Sequence, residues 1–158
     1  MKKENVIKSC YSILRKTTPL NFDCGKTCNG KCCKGDDKTG MLLFPGEENL
    51  IDPDINVIET EGGDKLAVCN GTCDRNRRPL SCRIYPLFPL LSEEDEINVV
   101  FDLRADCPLA KGEYSFDRRF LKAVKRVGKY LLLNDETARY YKELCEVQRE
   151  YMDLIKKI

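Results

Sequence analysis

Residues 24–33 read CGKTCNGKCC, and no other stretch constrains the chain as tightly. Four cysteines fall within ten positions, and Cys32 and Cys33 are adjacent. Glycine, lysine, threonine and asparagine fill the gaps, so the segment has too little apolar surface to build a core. Whatever organises it must act through the thiols. The full chain holds ten cysteines and no histidine. The missing imidazole removes the commonest general base and the commonest nitrogen ligand for metals. Cys/His zinc fingers and Cys–His nucleophile pairs are thereby excluded.

The remaining composition sets the class. A chain of 158 residues fits one domain with a modest core. Its 27 basic residues nearly cancel its 26 acidic ones. That balance argues against a general nucleic-acid binder and leaves room only for a local basic patch. The opening MKKENVIKSCYSILRKTTPL starts basic but has no continuous apolar run, so we expect neither a signal peptide nor a membrane span. The expected compartment is the cytoplasm, where thiols stay reduced and cysteine clusters are more often metal sites than disulfides. A disulfide scaffold is the weaker alternative.

Periodicity gives the framework. Val6, Ile7, Cys10, Tyr11, Ile13 and Leu14 recur near helical spacing within 4–15, and Thr17-Thr18-Pro19 closes that helix. MLLFP at 41–45 is a short apolar run, and Pro45-Gly46-Glu47-Glu48 opens a brief helical turn. Residues 55–60 and 65–68 flank Glu61-Gly62-Gly63-Asp64 as a β-hairpin. Asn70-Gly71 makes a turn between Cys69 and Cys73, and residues 97–101 read as another strand. Tyr85-Pro86-Leu87-Phe88-Pro89 is apolar but twice interrupted by proline, so it is expected to be extended and irregular. Further on, Phe116, Phe120, Ala123, Val124, Val127, Tyr130 and Leu131 mark one helix. Asn134 caps a second, whose stripe runs through Ala138, Tyr141, Leu144, Cys145, Gln148, Tyr151, Met152, Ile155 and Ile158. The predicted class is α+β: a small irregular cysteine-rich β region braced by an N-terminal helix and two C-terminal helices. We read 1–158 as a single domain, with the cysteine-cluster region at 20–110 and the helical pair at 114–158.

The cysteines separate into two classes. Cys10 and Cys145 lie on the apolar stripes and read as small core hydrophobes. The other eight, Cys24, Cys28, Cys32, Cys33, Cys69, Cys73, Cys82 and Cys107, lie in turns and are the candidate metal ligands. CxxxC spacing at 24–28, 28–32 and 69–73 keeps each chelate loop short, at little entropic cost. Neighbouring side chains on an extended backbone point to opposite sides. Cys32 and Cys33 therefore either serve two centres or divide into a ligand and a packing or reactive thiol. Four thiolates around Zn²⁺, or around an oxidised four-iron cluster, leave a net charge of about −2. Arg75, Arg77, Arg78 and Arg83 sit among the ligand candidates. Arg78 and Arg83 are read as balancing that charge or holding an anion, with a solvated basic loop as the alternative. Pro79 and Pro86 are expected to fix the loop between them.

RPLSCRIYP at 78–86 resembles the RPxxCRxYP signature of the CxxCxxCC, or YkgJ-like, cysteine-cluster family, a domain described as chelating zinc or iron. FDCGKTCNGKCC, with Phe22 ahead of the cysteines and a vicinal pair at the end, is similar to that family's leading element. Cys69 and Cys73 match its middle cysteines, and Asp106-Cys107-Pro108 resembles the last. The likeness covers residues 22–108, with three residues between the first cysteines where the family name has two. Some family members are fused to flagellin lysine N-methylases, in which the cluster is associated with iron–sulfur binding. This chain is far shorter, and no GxGxG loop follows a strand to hold S-adenosylmethionine; Gly62-Gly63 falls in the hairpin. The leading expectation is an accessory, electron-transfer or metal-handling protein with a protein partner, leaning away from an enzyme and involving neither nucleic acid nor membrane. The alternatives are a catalytic component of protein lysine methylation and a structural zinc module for protein interaction. All-cysteine ligation suits both metals. The loose CxxxC spacing and Cys107-Pro108 tip the reading to an iron–sulfur cluster over Zn²⁺.

Overall fold

A computed structural model describes residues 1–20, 40–104, 107 and 115–157. In chain order these form α1 (Lys3–Leu14), β1 (Met41–Leu42), β2 (Asn56–Glu59), β3 (Lys65–Val68), a 3₁₀ turn at Arg75–Arg77, α2 (Leu80–Ile84), β4 (Leu87–Leu91), β5 (Ile97–Phe101), α3 (Arg118–Leu131) and α4 (Asp135–Lys156). The class is α+β, with an N-terminal helix and two C-terminal helices as the periodicity predicts. α1 buries Val6, Ile7, Cys10 and Leu14 on one face. Thr17 stops it: its N–H and its hydroxyl both donate to the Leu14 carbonyl, at 3.2 and 3.4 Å.

The 55–68 hairpin forms as its turn residues dictate. β2 and β3 pair antiparallel from Asn56↔Val68 to Glu59↔Lys65. Thr60 closes the turn: its N–H donates to the Asp64 carbonyl at 2.8 Å, and its hydroxyl accepts the Asp64 N–H at 3.1 Å. β1 adds to the other edge of β3, giving the order β1-β3-β2. Leu43, Ile51, Ile55 and Ala67 make a small separate core beneath this sheet.

The stretch around Pro86 and Pro89 is extended from Leu87 on, as expected, but it is regular where irregularity is expected. Leu87–Leu91 is a strand, paired with Ile97–Phe101 throughout, and Pro89 stands opposite Val99 inside it. The reason is which way its edges face. Odd-numbered residues of β4 turn their backbone groups away from β5 and toward α4. The Tyr141 hydroxyl donates to the Pro89 carbonyl at 2.5 Å, and the Leu91 N–H donates to Cys145 Sγ at 3.5 Å. Proline at an odd position therefore removes no ladder bond. A second departure is α2, a short helix at Leu80–Ile84 between Pro79 and Pro86 where a loop is expected.

α3 lies between α1 and the β4–β5 pair, burying Phe120, Ala123, Val124, Val127 and Leu131. Phe116 precedes the helix and sets its ring edge-on to Phe101 at 5.4 Å. The Asn134 side chain caps α4 as predicted, accepting the N–H groups of Glu136 and Thr137. The core-facing stripe of α4 ends earlier than its sequence reads. Tyr141, Leu144, Cys145 and Gln148 are buried, whereas Tyr151 and Ile155 are 43 and 54% exposed. The Arg149 guanidinium reaches the carbonyl of Leu91, the last residue of β4, so the helix runs past the end of the sheet that covers it. Among the described residues, no helix is long and apolar enough to cross a membrane.

Candidate functional site

Of the eight candidate ligands, Cys24, Cys28, Cys32 and Cys33 lie outside the described residues, as do Asp106 and Pro108. The other four are half-buried and follow ordered elements closely. Cys69 comes directly after β3, and its Sγ lies 3.6 Å from the Thr72 carbonyl. The predicted turn follows: Gly71 has φ +105°, and the Asn70 side chain accepts the Thr72 N–H at 3.3 Å. Cys73 packs against the small core under the first sheet. Cys82 rides on α2, which is fastened to β1 by the Ser81 hydroxyl donating to the Leu42 carbonyl at 2.6 Å. Asp102, just past β5, donates its N–H to the Pro86 carbonyl at 2.9 Å, so the chain toward Cys107 leaves the second sheet beside the end of the Cys82 helix.

Cys69 and Cys82 thus sit on or next to neighbouring elements, β3 and the helix fastened to β1, and the described chain resumes beside β3. Gly40, where the described chain resumes after residue 39, lies against β3 two residues before Cys69; a Cβ on it would come within 2.5 Å of the Ala67 carbonyl oxygen. Among the described residues, no three cysteine, aspartate or glutamate side chains stand together as a metal site. Cys69, Cys73, Cys82 and Cys107 do not complete a centre by themselves. Cys10 and Cys145 are 0 and 1% exposed. Burial pushes the Cys10 thiol up to about 12 and raises Cys145 as well, which keeps both protonated.

The group that holds this corner together was not foreseen from the sequence. Glu47 is fully buried. Its carboxylate accepts the Tyr11 hydroxyl from α1 at 2.6 Å and the Leu80 N–H at the start of α2 at 2.5 Å, both on Oε1. Oε2 accepts the Phe44 N–H just after β1 at 2.7 Å. One side chain therefore ties together α1, the end of β1 and the helix carrying Cys82. Gly46 makes the turn possible: its φ is +93°, and a Cβ there would meet the backbone of Lys3 and Glu4 at about 3 Å. The expected turn at Pro45–Glu48 is present, with the Leu50 and Ile51 N–H groups donating to the Glu47 carbonyl. Fully enclosed, Glu47 reaches no bound molecule, and its role is to fasten.

Burial raises the Glu47 carboxyl from 4.5 to about 7, against the opposing pull of its hydrogen bonds to Tyr11, Leu80 and Phe44 and of the nearby Arg83 charge. A folded value above the unfolded one means that the folded chain holds a proton the unfolded chain has released. The stability from that proton is fully present below pH 4.5 and is lost as pH rises through 7. The gap corresponds to about 3 kcal/mol. We therefore expect the urea midpoint to fall between pH 5 and pH 7.5, and Glu47→Gln to flatten that slope. The lowered carboxyls of Glu48, Asp52 and Asp117 act with the opposite sign, below their ordinary values of 4.5, 3.8 and 3.8, outside this window. Equal slopes in both proteins would refute the assignment.

Arg83 completes the corner. Its guanidinium stacks over the Tyr11 ring, 3.9 Å from the centroid. Nε donates to the Arg78 carbonyl at 2.9 Å and Nη2 to the Asn76 carbonyl at 2.7 Å. The side chain thereby fixes the loop between Cys73 and Cys82. Its charge also lies close enough to Cys82 and Glu47 to attract their anionic forms. Arg78 contributes its backbone carbonyl to Arg83, and Tyr85 is half-buried. Sequence signals for this network were weak, because Tyr11 reads as one more stripe residue and Glu47 as one more charged turn residue.

No family model, no curated protein and no solved structure matches the chain.

Proposed function

We propose that the chain is a cytoplasmic metal-binding cysteine-cluster protein of the CxxCxxCC type, acting with a protein partner as an accessory, electron-transfer or metal-handling component. Its ligands come from Cys24, Cys28, Cys32, Cys33, Cys69, Cys73, Cys82 and Cys107, and the favoured cofactor is an iron–sulfur cluster over Zn²⁺. One observation carries the reading. Cys69, Cys73 and Cys82 follow or ride on elements around the first sheet, and the segment bearing the CGKTCNGKCC cysteines rejoins the fold against that sheet at Gly40. This arrangement supports a centre that draws ligands from both segments, since Cys33 precedes Gly40 by only seven residues in sequence.

The described residues fit such a centre in part. They offer half-buried thiols, small residues in the 69–73 turn, and a fixed guanidinium beside Cys82. A metal there would supply either one-electron redox chemistry or a rigid crosslink. What the chain itself supplies is position, through Glu47 and Arg83, and charge, through Arg83. The test is elemental and sulfide analysis of anaerobically purified protein together with its visible spectrum. Iron with acid-labile sulfide is the expected result. Stoichiometric zinc in colourless protein favours the structural zinc module. Absence of both metals, before and after reconstitution, would overturn the reading.

A further inference from the structure

We propose that the exposed face of α3, with the adjoining end of α1, is a docking surface for an acidic protein. α3 carries Arg118, Arg119, Lys122, Lys125, Arg126 and Lys129 and no acidic residue, and all six are exposed. At about 100° per residue they fall within roughly a third of the helix circumference. The buried residues take the opposite side. The net charge of +1 conceals this segregation: set α3 aside and the remainder of the chain is net negative.

A second helix extends the face. α1 runs antiparallel to α3. The Asp117 N–H donates to the Pro19 carbonyl at one end, and Lys3 pairs with Glu136 at 2.8 Å near the other. Between them lies a groove of about 480 Å³ lined by Arg15, Lys16 and Arg126, with the hydroxyls of Ser9 and Ser12. Among the described residues, Lys122, Lys125, Arg126, Lys129, Arg15 and Lys16 form no ion pair. All six are exposed, and of their charges only that of Arg126 meets a partner among the described residues, the Tyr130 ring at 6.0 Å.

Two features select a protein over other polyanions. Leu132 and Leu133 follow directly on the cationic face and are 36 and 50% exposed. Apolar residues beside a charged rim are the anatomy of a protein interface, whereas a phosphate backbone would leave both leucines wet. The second feature is extent. α3 has 14 residues, about 21 Å of helix, which suits one side of a standard interface of about 800 Å² per partner. A long polyanion would run on past the patch into the net-negative remainder and be repelled.

The inference does not depend on the metal, and its test reads α3 alone. The isotope-labelled full chain is titrated by NMR with a synthetic amphipathic peptide that has glutamates along one face and leucines beside them. Shifts are expected at Lys122, Lys125, Arg126, Lys129 and Leu133, with binding that weakens as salt rises. The Lys122→Glu/Arg126→Glu double variant, confirmed folded by circular dichroism, should bind at least about tenfold more weakly, and Leu133→Ser should weaken binding too. Tighter binding of a single-stranded oligonucleotide, indifferent to Leu133→Ser, would overturn the protein partner in favour of nucleic acid. Binding confined to phosphatidylserine vesicles would overturn it in favour of a membrane surface. Binding to none of the three, or peptide affinity unchanged in the double variant, would remove the docking surface altogether.

Discussion

Glu47→Ala is expected to lower the melting temperature by roughly 10 °C or more. The substitution strands two buried donors, the Phe44 N–H and the Leu80 N–H, and removes the partner of the half-buried Tyr11 hydroxyl. Each buried orphan costs about 1–3 kcal/mol, and the vacated space adds a cavity cost. The opposing effect is relief of the burial penalty on the carboxylate, about 3 kcal/mol where the group is ionised. At pH 5.5 the wild-type group is largely protonated, so little relief is available and the lost hydrogen bonds dominate. The measurement belongs at that pH. Glu48→Ala is the control. Glu48 is exposed, and its side chain pairs with Lys65 at 2.9 Å and accepts the Gly46 N–H, a surface arrangement worth at most about 1 kcal/mol. A Glu47→Ala protein that melts within a few degrees of the Glu48→Ala one would show that the buried carboxylate does not fasten the fold.

The elements that were legible in the sequence are those whose pattern is local. Glu61-Gly62-Gly63-Asp64 demands a turn, and the β2–β3 pairing follows from it. The stripe from Phe120 to Leu131 repeats over enough turns to fix a helix and its face, and Asn134 is a cap by chemistry alone. What was not legible depends on partners distant in sequence. Pro89 in a strand is tolerated because the register with β5 leaves its nitrogen facing away from the ladder, on the edge where α4 bonds the Pro89 carbonyl and the Leu91 N–H, and nothing near Pro89 reveals this. α2 spans five residues, too few for a periodic signal. Glu47 becomes a core residue through Tyr11 and Leu80, 36 residues before it and 33 after it. At the candidate metal site, spacing marked the cysteines, and the fold adds that Cys69 follows β3, that Cys82 rides on a helix fastened to β1, and that Gly40 lies against β3. Cys24, Cys28, Cys32 and Cys33 lie outside the described residues, so that half of the site rests on spacing alone.

On the metal-binding reading, Cys82→Ala should abolish stoichiometric metal, whereas Cys10→Ala and Cys145→Ala should retain it. The three thiols differ in surroundings more than in chemistry. Cys10 and Cys145 are enclosed by apolar side chains, which hold them protonated and unavailable as thiolate ligands. Cys82 is half-buried, on a helix anchored by Glu47 and Ser81, beside the Arg83 charge that favours a thiolate. Loss of a partner that only orients or charges a metal site costs about 10–100-fold in affinity, and loss of a ligand costs more. Arg83→Gln should therefore fall between the extremes: metal retained at saturating concentration but held about 10–100-fold more weakly. Part of that loss comes from geometry, since glutamine cannot reach both the Asn76 and Arg78 carbonyls while stacking on Tyr11. Arg83→Lys separates the two contributions, because it keeps the charge and forfeits the fork. Metal affinity restored by lysine assigns Arg83 to charge balance, and affinity as weak as in the glutamine variant assigns it to holding the loop. Full metal content in Cys82→Ala would remove Cys82 from the ligand set, and reduced content in Cys10→Ala or Cys145→Ala would contradict their assignment to the core.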